Sequence, residues 1–118
     1  RIKPDEVARM DLIGDVKGKN AIIIDDGIYT GGTLLNATEI LIERGVKRVF
    51  AAATHGIFCK ESLPRVCDSP IEEIVVTDTV KVPNGDVCGK LRILSVAPLI
   101  GEAIKRIQTH SSISELFK

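Results

Sequence analysis

Residues 20–33 read NAIIIDDGIYTGGT, and this stretch decides the fold class of the chain. Asn20 to Asp25 form a short apolar run after Gly18, which is typical of a strand buried on both faces of a parallel sheet. From Thr33 to Arg44 the apolar residues recur at helical spacing, and Gly45 follows as a stop signal. The stretch therefore predicts a strand, a loop and a helix in immediate succession.

The rest of the chain alternates strand patterns with helix patterns. A second strand after a right-handed crossover would complete a β-α-β unit, and Pro98 opens an amphipathic helix in which isoleucines recur at helical spacing. The predicted elements after the first helix are a strand at Val46–Thr54, a short helix at Glu61–Asp68, strands at Glu73–Thr77 and Leu91–Val96, and a final helix carrying Ile100, Ile104 and Ile107. This order predicts an α/β fold, a parallel sheet with flanking helices.

Length and composition limit the classes of protein to which the chain can belong. Its 118 residues, 44% of them hydrophobic, fit one domain with a real core. Sixteen basic residues balance sixteen acidic ones, so we expect no general attraction to nucleic acid or to an anionic membrane. No apolar run approaches the roughly 20 residues that span a bilayer, and the first residues, Arg1 to Pro4, do not form a signal peptide. We expect a cytoplasmic protein, and a start without methionine suggests a piece of a longer chain.

The three cysteines predict no metal site. Cys59, Cys67 and Cys88 form no Cys-x-x-Cys pair, and none is spaced from His110 as zinc ligands are. We therefore expect reduced or incidental thiols.

The loop after the first strand carries the candidate chemistry. Ligands collect at the carboxyl ends of strands in open α/β sheets, and backbone N–H groups at a helix N-terminus attract phosphate. Gly31 and Gly32 let the backbone approach a phosphate closely, while Thr30 and Thr33 offer hydroxyl donors. The preceding pair, Asp25 and Asp26, can accept hydrogen bonds from a vicinal diol. A phosphate cup beside a diol acceptor suits ribose 5-phosphate, whereas Gly-Gly-Thr alone would indicate only a helix cap.

A phosphoacceptor receiver domain also begins with an apolar strand that ends in paired aspartates. That class needs a third aspartate at the end of another strand, and the candidate, Asp68, does not follow an apolar strand. The glycine-rich loop would also have no role there. Labelling by acetyl phosphate would separate this class from a sugar-phosphate site.

The motif IIIDD-x-x-x-TGGT resembles the phosphoribosyl pyrophosphate motif of type I phosphoribosyltransferases and pyrophosphokinases. The motif alone leaves both classes open. The flanking segments resemble those of ribose-phosphate pyrophosphokinases across essentially the whole chain. They are residues 13–16, 43–50, 53–58, 75–79 and 112–117.

The resemblance implies the C-terminal, type I phosphoribosyltransferase-like domain of a two-domain enzyme. In that family ATP gives its diphosphoryl group to the 1-hydroxyl of ribose 5-phosphate, with Mg²⁺, leaving AMP. By similarity, Asp25 and Asp26 would hold the ribose hydroxyls, and Tyr29 to Thr33 (Tyr29, Thr30, Gly31, Gly32, Thr33) would form the 5-phosphate loop. Arg1 matches a basic residue of the family's catalytic loop, where it would stabilise charge on the transferring phosphoryl groups.

Two positions depart from the family pattern. Members usually carry an aspartate where this chain has Tyr29, and a larger apolar residue is common where it has Gly27. Tyrosine cannot replace an ionised carboxylate near neutral pH because its unperturbed pKa is about 10. We therefore expect sugar-phosphate binding to be retained and turnover to be altered or reduced.

The resemblance also implies an allosteric segment, a second domain and contacts between subunits. The C-terminal segment that contains Ser112, Ser114 and Phe117 is similar to one that contributes to an allosteric site between subunits. The family's N-terminal domain supplies most of the ATP pocket, and its members form homo-oligomers, hexamers built from dimers. Two alternatives stay open: a non-catalytic regulatory relative, which Tyr29 favours, and a phosphoribosyltransferase that acts on a nucleobase.

Overall fold

The computed structural model describes residues 12–59, 61–82 and 88–117. Its elements in chain order are β1 (Asn20–Ile28), α1 (Gly32–Glu43), β2 (Arg48–Gly56), α2 (Ser62–Cys67), β3 (Glu73–Thr77), β4 (Leu91–Leu94), α3 (Ala97–Gln108) and a 3₁₀ helix (Ser114–Phe117).

The four strands form one sheet in the order β1-β2-β3-β4, and every neighbouring pair is parallel. Helix α1 connects β1 to β2, so the predicted β-α-β unit is present. The predicted α/β class with a parallel sheet and flanking helices is confirmed. Because all strands run in one direction, their carboxyl ends lie along one edge of the sheet.

Most element boundaries differ from the predicted ones by a few residues. Strand β1 continues three residues beyond Asp25 because Gly27 and Ile28 still pair with His55 and Gly56 of β2. Strand β3 has the predicted bounds. The paired aspartates therefore lie within the last part of β1 and precede the loop.

One face of the sheet carries the core. Alternate residues of β2 and β3 are buried, among them Val49, Ala51, Ile74 and Val76. They cluster with Leu34 of α1, with Leu63 and Val66 of α2, and with Phe58. Helices α1 and α2 thus cover this face of the sheet.

The other face of the sheet is open in the described part of the chain. Ile22 is 66% exposed and Ile24 80% exposed, and Leu94 on β4 is also exposed. The prediction that β1 is buried on both faces is therefore wrong for these residues, since no described helix packs over them. Helix α3 likewise buries none of its residues, and its predicted apolar face, which includes Ile104, is exposed.

The cysteines correct a second expectation. Cys67 at the end of α2 and Cys88 before β4 form a disulfide, with 5.8 Å between their Cα atoms, and only Cys59 is free. Lys90 reinforces the same connection, because its Nζ donates to the carbonyl oxygens of Cys67, at 2.8 Å, and Ser69, at 2.9 Å. The segment that leads into β4 is therefore fixed to the end of α2.

Across residues 12–59, 61–82 and 88–117, none of the helices has the length and hydropathy needed to cross a membrane.

Candidate functional site

The candidate loop connects the end of β1 to the start of α1. Gly31 is the N-cap residue of α1 and has a φ of 81°, in the left-handed region that favours glycine. Its carbonyl accepts the first helical hydrogen bond from Leu35 N at 2.9 Å. The second glycine of the motif, Gly32, already lies within the helix. Gly31 is thus the residue that turns the chain from strand to helix.

The N-terminus of α1 is open to a ligand. No side chain caps it, and the first turn of a helix leaves backbone N–H groups without intrahelical partners. Thr30 and Thr33 are exposed, and Gly32 N donates to Thr30 Oγ1 over a long 3.4 Å. These amides and hydroxyls, together with the positive end of the helix dipole, form a group of donors that suits a phosphate.

Asp25 and Asp26 line the same cavity as the loop. Both are exposed, and Asp26 N donates to Asp25 Oδ1 at 2.7 Å. The cavity has a volume of about 140 Å³, and its lining residues are Asp25, Asp26, Gly27, Tyr29, Thr30, Gly31, Gly32, Thr33 and Leu34. The structure therefore brings together every residue that the sequence analysis assigned to sugar-phosphate binding.

The segment after β2 supports the start of the loop. The carbonyl oxygen of Ile28 accepts hydrogen bonds from the N–H groups of Ile57 and Phe58, each at 3.0 Å. The carbonyl of Tyr29 accepts another from Cys59 N at 2.8 Å. Two consecutive carbonyls, at the end of β1 and the start of the loop, are thus fixed by the segment that follows β2.

A second polar cluster lies along the same edge of the sheet, at the ends of β2 and β3. His55 Nδ1 is 2.7 Å from Thr79 Oγ1, and Thr77 Oγ1 donates to the carbonyl oxygen of Thr54 at 2.6 Å. His55 is thus a hydrogen-bonded residue just before the end of β2. The sequence analysis did not single out Thr54, Thr77 or Thr79 as candidates, although all three follow from the rule that parallel strands end at one edge.

Asp78 connects this edge to α3. Val96 N donates to Asp78 Oδ1 at 2.8 Å. A hydrogen bond from Ser95 and this bond from the Val96 backbone hold the pKa of the Asp78 carboxyl below its ordinary value. An ionised carboxylate is the better acceptor here, and it fixes the first turn of α3 next to β3.

A wider groove lies elsewhere, between α1 and α2, with a volume of about 570 Å³. Its charged lining includes three carboxylates, Glu39, Glu43 and Asp68, against one guanidinium, Arg65. This charge disfavours a phosphate, and the groove contains none of the strand-end residues. Size alone therefore does not identify the site.

The residues assigned to allostery lie on the last element, beyond α3. Ser112 Oγ and Ser114 Oγ are 2.8 Å apart, and Arg106 Nη1 donates to the carbonyl of Ser112 at 2.8 Å. Phe117 is largely exposed. A cavity of about 280 Å³ opens nearby, but its lining residues include neither the two serines nor Phe117. Arg1, the assigned catalytic residue, lies outside the described residues.

The described residues contain no cluster of three or more His, Cys, Asp or Glu side chains that could enclose a metal ion. Mg²⁺ usually keeps several waters and binds through one or two carboxylates together with substrate phosphates. Asp25 and Asp26 beside a phosphate cup fit that mode of binding. The arrangement can hold a phosphorylated sugar and share a hydrated cation with it.

Comparison with known proteins gives one consistent family. A family model described as the phosphoribosyl synthetase-associated domain matches residues 1–118. Ribose-phosphate pyrophosphokinase from Aquifex aeolicus is 51% identical over 117 residues, which are 99% of this chain and 37% of the relative. The protein of the same name from Gloeobacter violaceus is 48% identical over 118 residues, 100% of this chain and 36% of the relative.

A solved structure gives the same result in three dimensions. The crystal structure of phosphoribosylpyrophosphate synthetase from Mycobacterium smegmatis superposes with a TM-score of 0.80 at 37% sequence identity. The match covers 84% of this chain and 33% of that one. The chain thus spans little more than a third of the length of the curated relatives it matches. Sequence and fold together show that this chain belongs to the phosphoribosyl synthetase-associated domain family, that of the ribose-phosphate pyrophosphokinases.

Proposed function

We propose that this chain supplies the ribose 5-phosphate site of a ribose-phosphate diphosphokinase. The observation that supports the proposal is the shared cavity in which Asp25 and Asp26 face the same space as the donors of Thr30 to Thr33. The helix N-terminus and the two hydroxyls bind the 5-phosphate, and the carboxylates accept hydrogen bonds from the ribose hydroxyls.

The reaction of the full-length protein transfers the diphosphoryl group of ATP to the 1-hydroxyl of ribose 5-phosphate and leaves AMP. The attacking hydroxyl is part of the bound sugar, so positioning of the sugar is the contribution of this chain. Arg1 stabilises the charge on the transferring phosphoryl groups. Mg²⁺, held by Asp25 or Asp26 and the substrate phosphates, would neutralise further charge there.

The remaining parts of the site come from outside this chain. Its 118 residues form one domain, the C-terminal part of a longer two-domain cytoplasmic protein, and the other domain supplies most of the ATP pocket. The exposed apolar residues of the open sheet face and of α3, such as Ile24 and Ile104, support burial against further polypeptide. We assign that burial to the second domain and to a homo-oligomer, with Ser112, Ser114 and Phe117 at an allosteric contact between subunits.

A non-catalytic regulatory relative is the second candidate, and Tyr29 is the observation that favours it. With a phenol at this position, two carboxylates remain in the cavity. Two carboxylates suffice to bind the sugar phosphate, but they bind a cation more weakly than three would. The two candidates differ in whether the full-length protein releases AMP from ATP when ribose 5-phosphate is added.

Calorimetric titration with ribose 5-phosphate tests the proposal, with ribose and inorganic phosphate as separate ligands. We expect ribose 5-phosphate to bind more tightly than either part, because it engages the carboxylates and the loop together. Equal affinity for ribose 5-phosphate and inorganic phosphate would show that the site binds phosphate without recognising the sugar. No binding of any of the three would reject the proposal.

A further inference from the structure

The ring of Tyr29 lies over Gly27. A Cβ built on Gly27 would lie 2.8 Å from Tyr29 Cε2, 3.1 Å from Cζ and 3.2 Å from Oη. The first distance is shorter than real side chains tolerate, so an alanine at position 27 and this position of the ring exclude each other. Gly27 is buried even though it lies at the open end of β1, and the ring is in contact with it.

The backbone does not explain the glycine at position 27. Gly27 is absent from the residues with positive φ, whereas Gly31, four positions later, has a φ of 81°. Position 27 pairs with His55 as an ordinary residue of β1. The absent side chain therefore makes room for the Tyr29 ring, and the two residues act as one structural unit.

The ring also faces the candidate ligand. Tyr29 is 50% exposed, and both Tyr29 and Gly27 line the cavity that holds Asp25 and Asp26. Residues 25 and 27 belong to β1 and, two positions apart in a strand, share one side of it. Because the ring lines the cavity together with the loop and the first carboxylate, it borders the space in which the pentose of a sugar phosphate has to lie.

We infer that Tyr29 is a specificity-determining wall of the sugar subsite, which contacts the C–H face of the pentose from the space that the missing side chain at Gly27 leaves open. This inference rests on the proposed ribose 5-phosphate site. It adds that the aromatic ring contacts the sugar and not the phosphate. Aromatic rings supply apolar contact area at low conformational cost. The ring face carries the interaction, and the phenol hydroxyl is dispensable.

The composition of the chain provides a direct probe. Tyr29 is the only tyrosine, and there is no tryptophan, so the intrinsic tyrosine fluorescence of the protein reports on this one ring. We expect ribose 5-phosphate to change that fluorescence and to protect the ring from quenching by iodide. We also expect Gly27→Ala to make the free ring more accessible to iodide, because the new Cβ displaces it.

Binding measurements on four variants test the inference. Tyr29→Phe should bind ribose 5-phosphate like the parent, whereas Tyr29→Ala and Gly27→Ala should each bind it about tenfold more weakly. The double variant should bind no more weakly than Tyr29→Ala, because the alanine at 27 acts only through the ring. Inorganic phosphate, which does not reach the wall, should bind all four proteins equally.

The outcomes separate this inference from the proposed function. If the parent protein fails to bind ribose 5-phosphate, the proposed function is rejected and the wall with it. If the parent binds but Tyr29→Ala binds equally well, the wall is rejected and the proposed function stands. Additive losses in the double variant, or weakened binding of inorganic phosphate by Tyr29→Ala, would also overturn the inference.

Discussion

Val66 of α2 packs against the backbone of Gly31: a Cβ built on Gly31 would lie 3.1 Å from Val66 Cγ2. Val66 is fully buried, so it has little room to move away. A short helix that contributes no residue to the candidate cavity thus limits the space at the residue that turns the candidate loop into α1. A side chain at position 31 would meet both this neighbour and an unfavourable positive φ.

Replacement of Gly31 by alanine should destabilise the protein by about 1–2 kcal/mol and weaken binding of inorganic phosphate. Both effects follow from the positive φ and from the close contact with Val66. Urea unfolding and phosphate titration measure them. Gly101→Ala is the matched control, because Gly101 lies within α3 with open space around its Cα. That substitution should stabilise by about 0.5–1 kcal/mol, and an equal effect of the two substitutions would contradict the account.

Ser62 also lies next to Gly31, but its replacement should have a different effect on stability. Its Cβ would be 3.8 Å from a Cβ on Gly31, and its buried hydroxyl has no hydrogen-bond partner among the described residues. A buried donor without a partner costs about 1–3 kcal/mol. Ser62→Ala should therefore leave the free energy of unfolding unchanged or raise it by about 1 kcal/mol. Destabilisation by more than that amount would show that the hydroxyl has a partner in solution.

The disulfide should make stability depend on reductant. Cys67 and Cys88 are 21 residues apart, and closing a loop of this length stabilises a protein by about 3 kcal/mol in the chain-entropy model. Reduction should lower the free energy of unfolding by an amount of that order and raise the count of reactive thiols from one to three.

Two variants control for the identity of the thiols that respond. Cys59→Ala should keep the response to reductant, and the double variant Cys67→Ala with Cys88→Ala should lose it. Three reactive thiols in the native protein before reduction would contradict the pairing.

Asp78 should contribute a pH-dependent part of the stability. Its folded pKa is lowered, chiefly by Ser95 and then by Val96 N. The ionised form is therefore favoured in the folded state. The stabilisation is fully present above the unfolded pKa and is lost as pH falls through the lower, folded pKa.

Asp78→Asn isolates this effect, since the amide oxygen can still accept the hydrogen bond from Val96. The difference in unfolding free energy between the two proteins should be largest near neutral pH and should shrink below about pH 4. A difference that stays constant across this range would show that ionisation of Asp78 has no role.

The sequence predicted correctly those parts of the fold that depend on interactions between residues close together in the chain. The apolar run before Asp25 and the helical spacing after Thr33 placed the junction between β1 and α1 within a few residues. Because the assigned loop residues lie at that junction, all of them line one cavity. The same reasoning applied to β2 and β3 would have found the polar cluster of His55 and Thr79.

The features that were missed depend on contacts between distant residues. The extension of β1 to Ile28 requires a partner strand in register, which no property of residues 26–28 reveals. Pairing of Cys67 with Cys88 depends on the path of β3 between them. The exposure of one sheet face could not be predicted for a related reason. An apolar run such as Ile22–Ile24 has the same sequence pattern whether it packs against this chain or against another polypeptide.

The central claim is that the donors of the Thr30–Thr33 loop hold the 5-phosphate of a sugar phosphate. The most direct test is to titrate the double variant Thr30→Ala with Thr33→Ala with ribose 5-phosphate. Each hydrogen bond from a hydroxyl to a charged group contributes about 1.5–3 kcal/mol to binding. Thr109→Ala is the control, since this exposed threonine follows the last residue of α3 and donates to the carbonyl oxygen of Lys105. We expect at least a tenfold loss of affinity in the double variant and none in the control. Unchanged binding by the double variant would contradict the central claim.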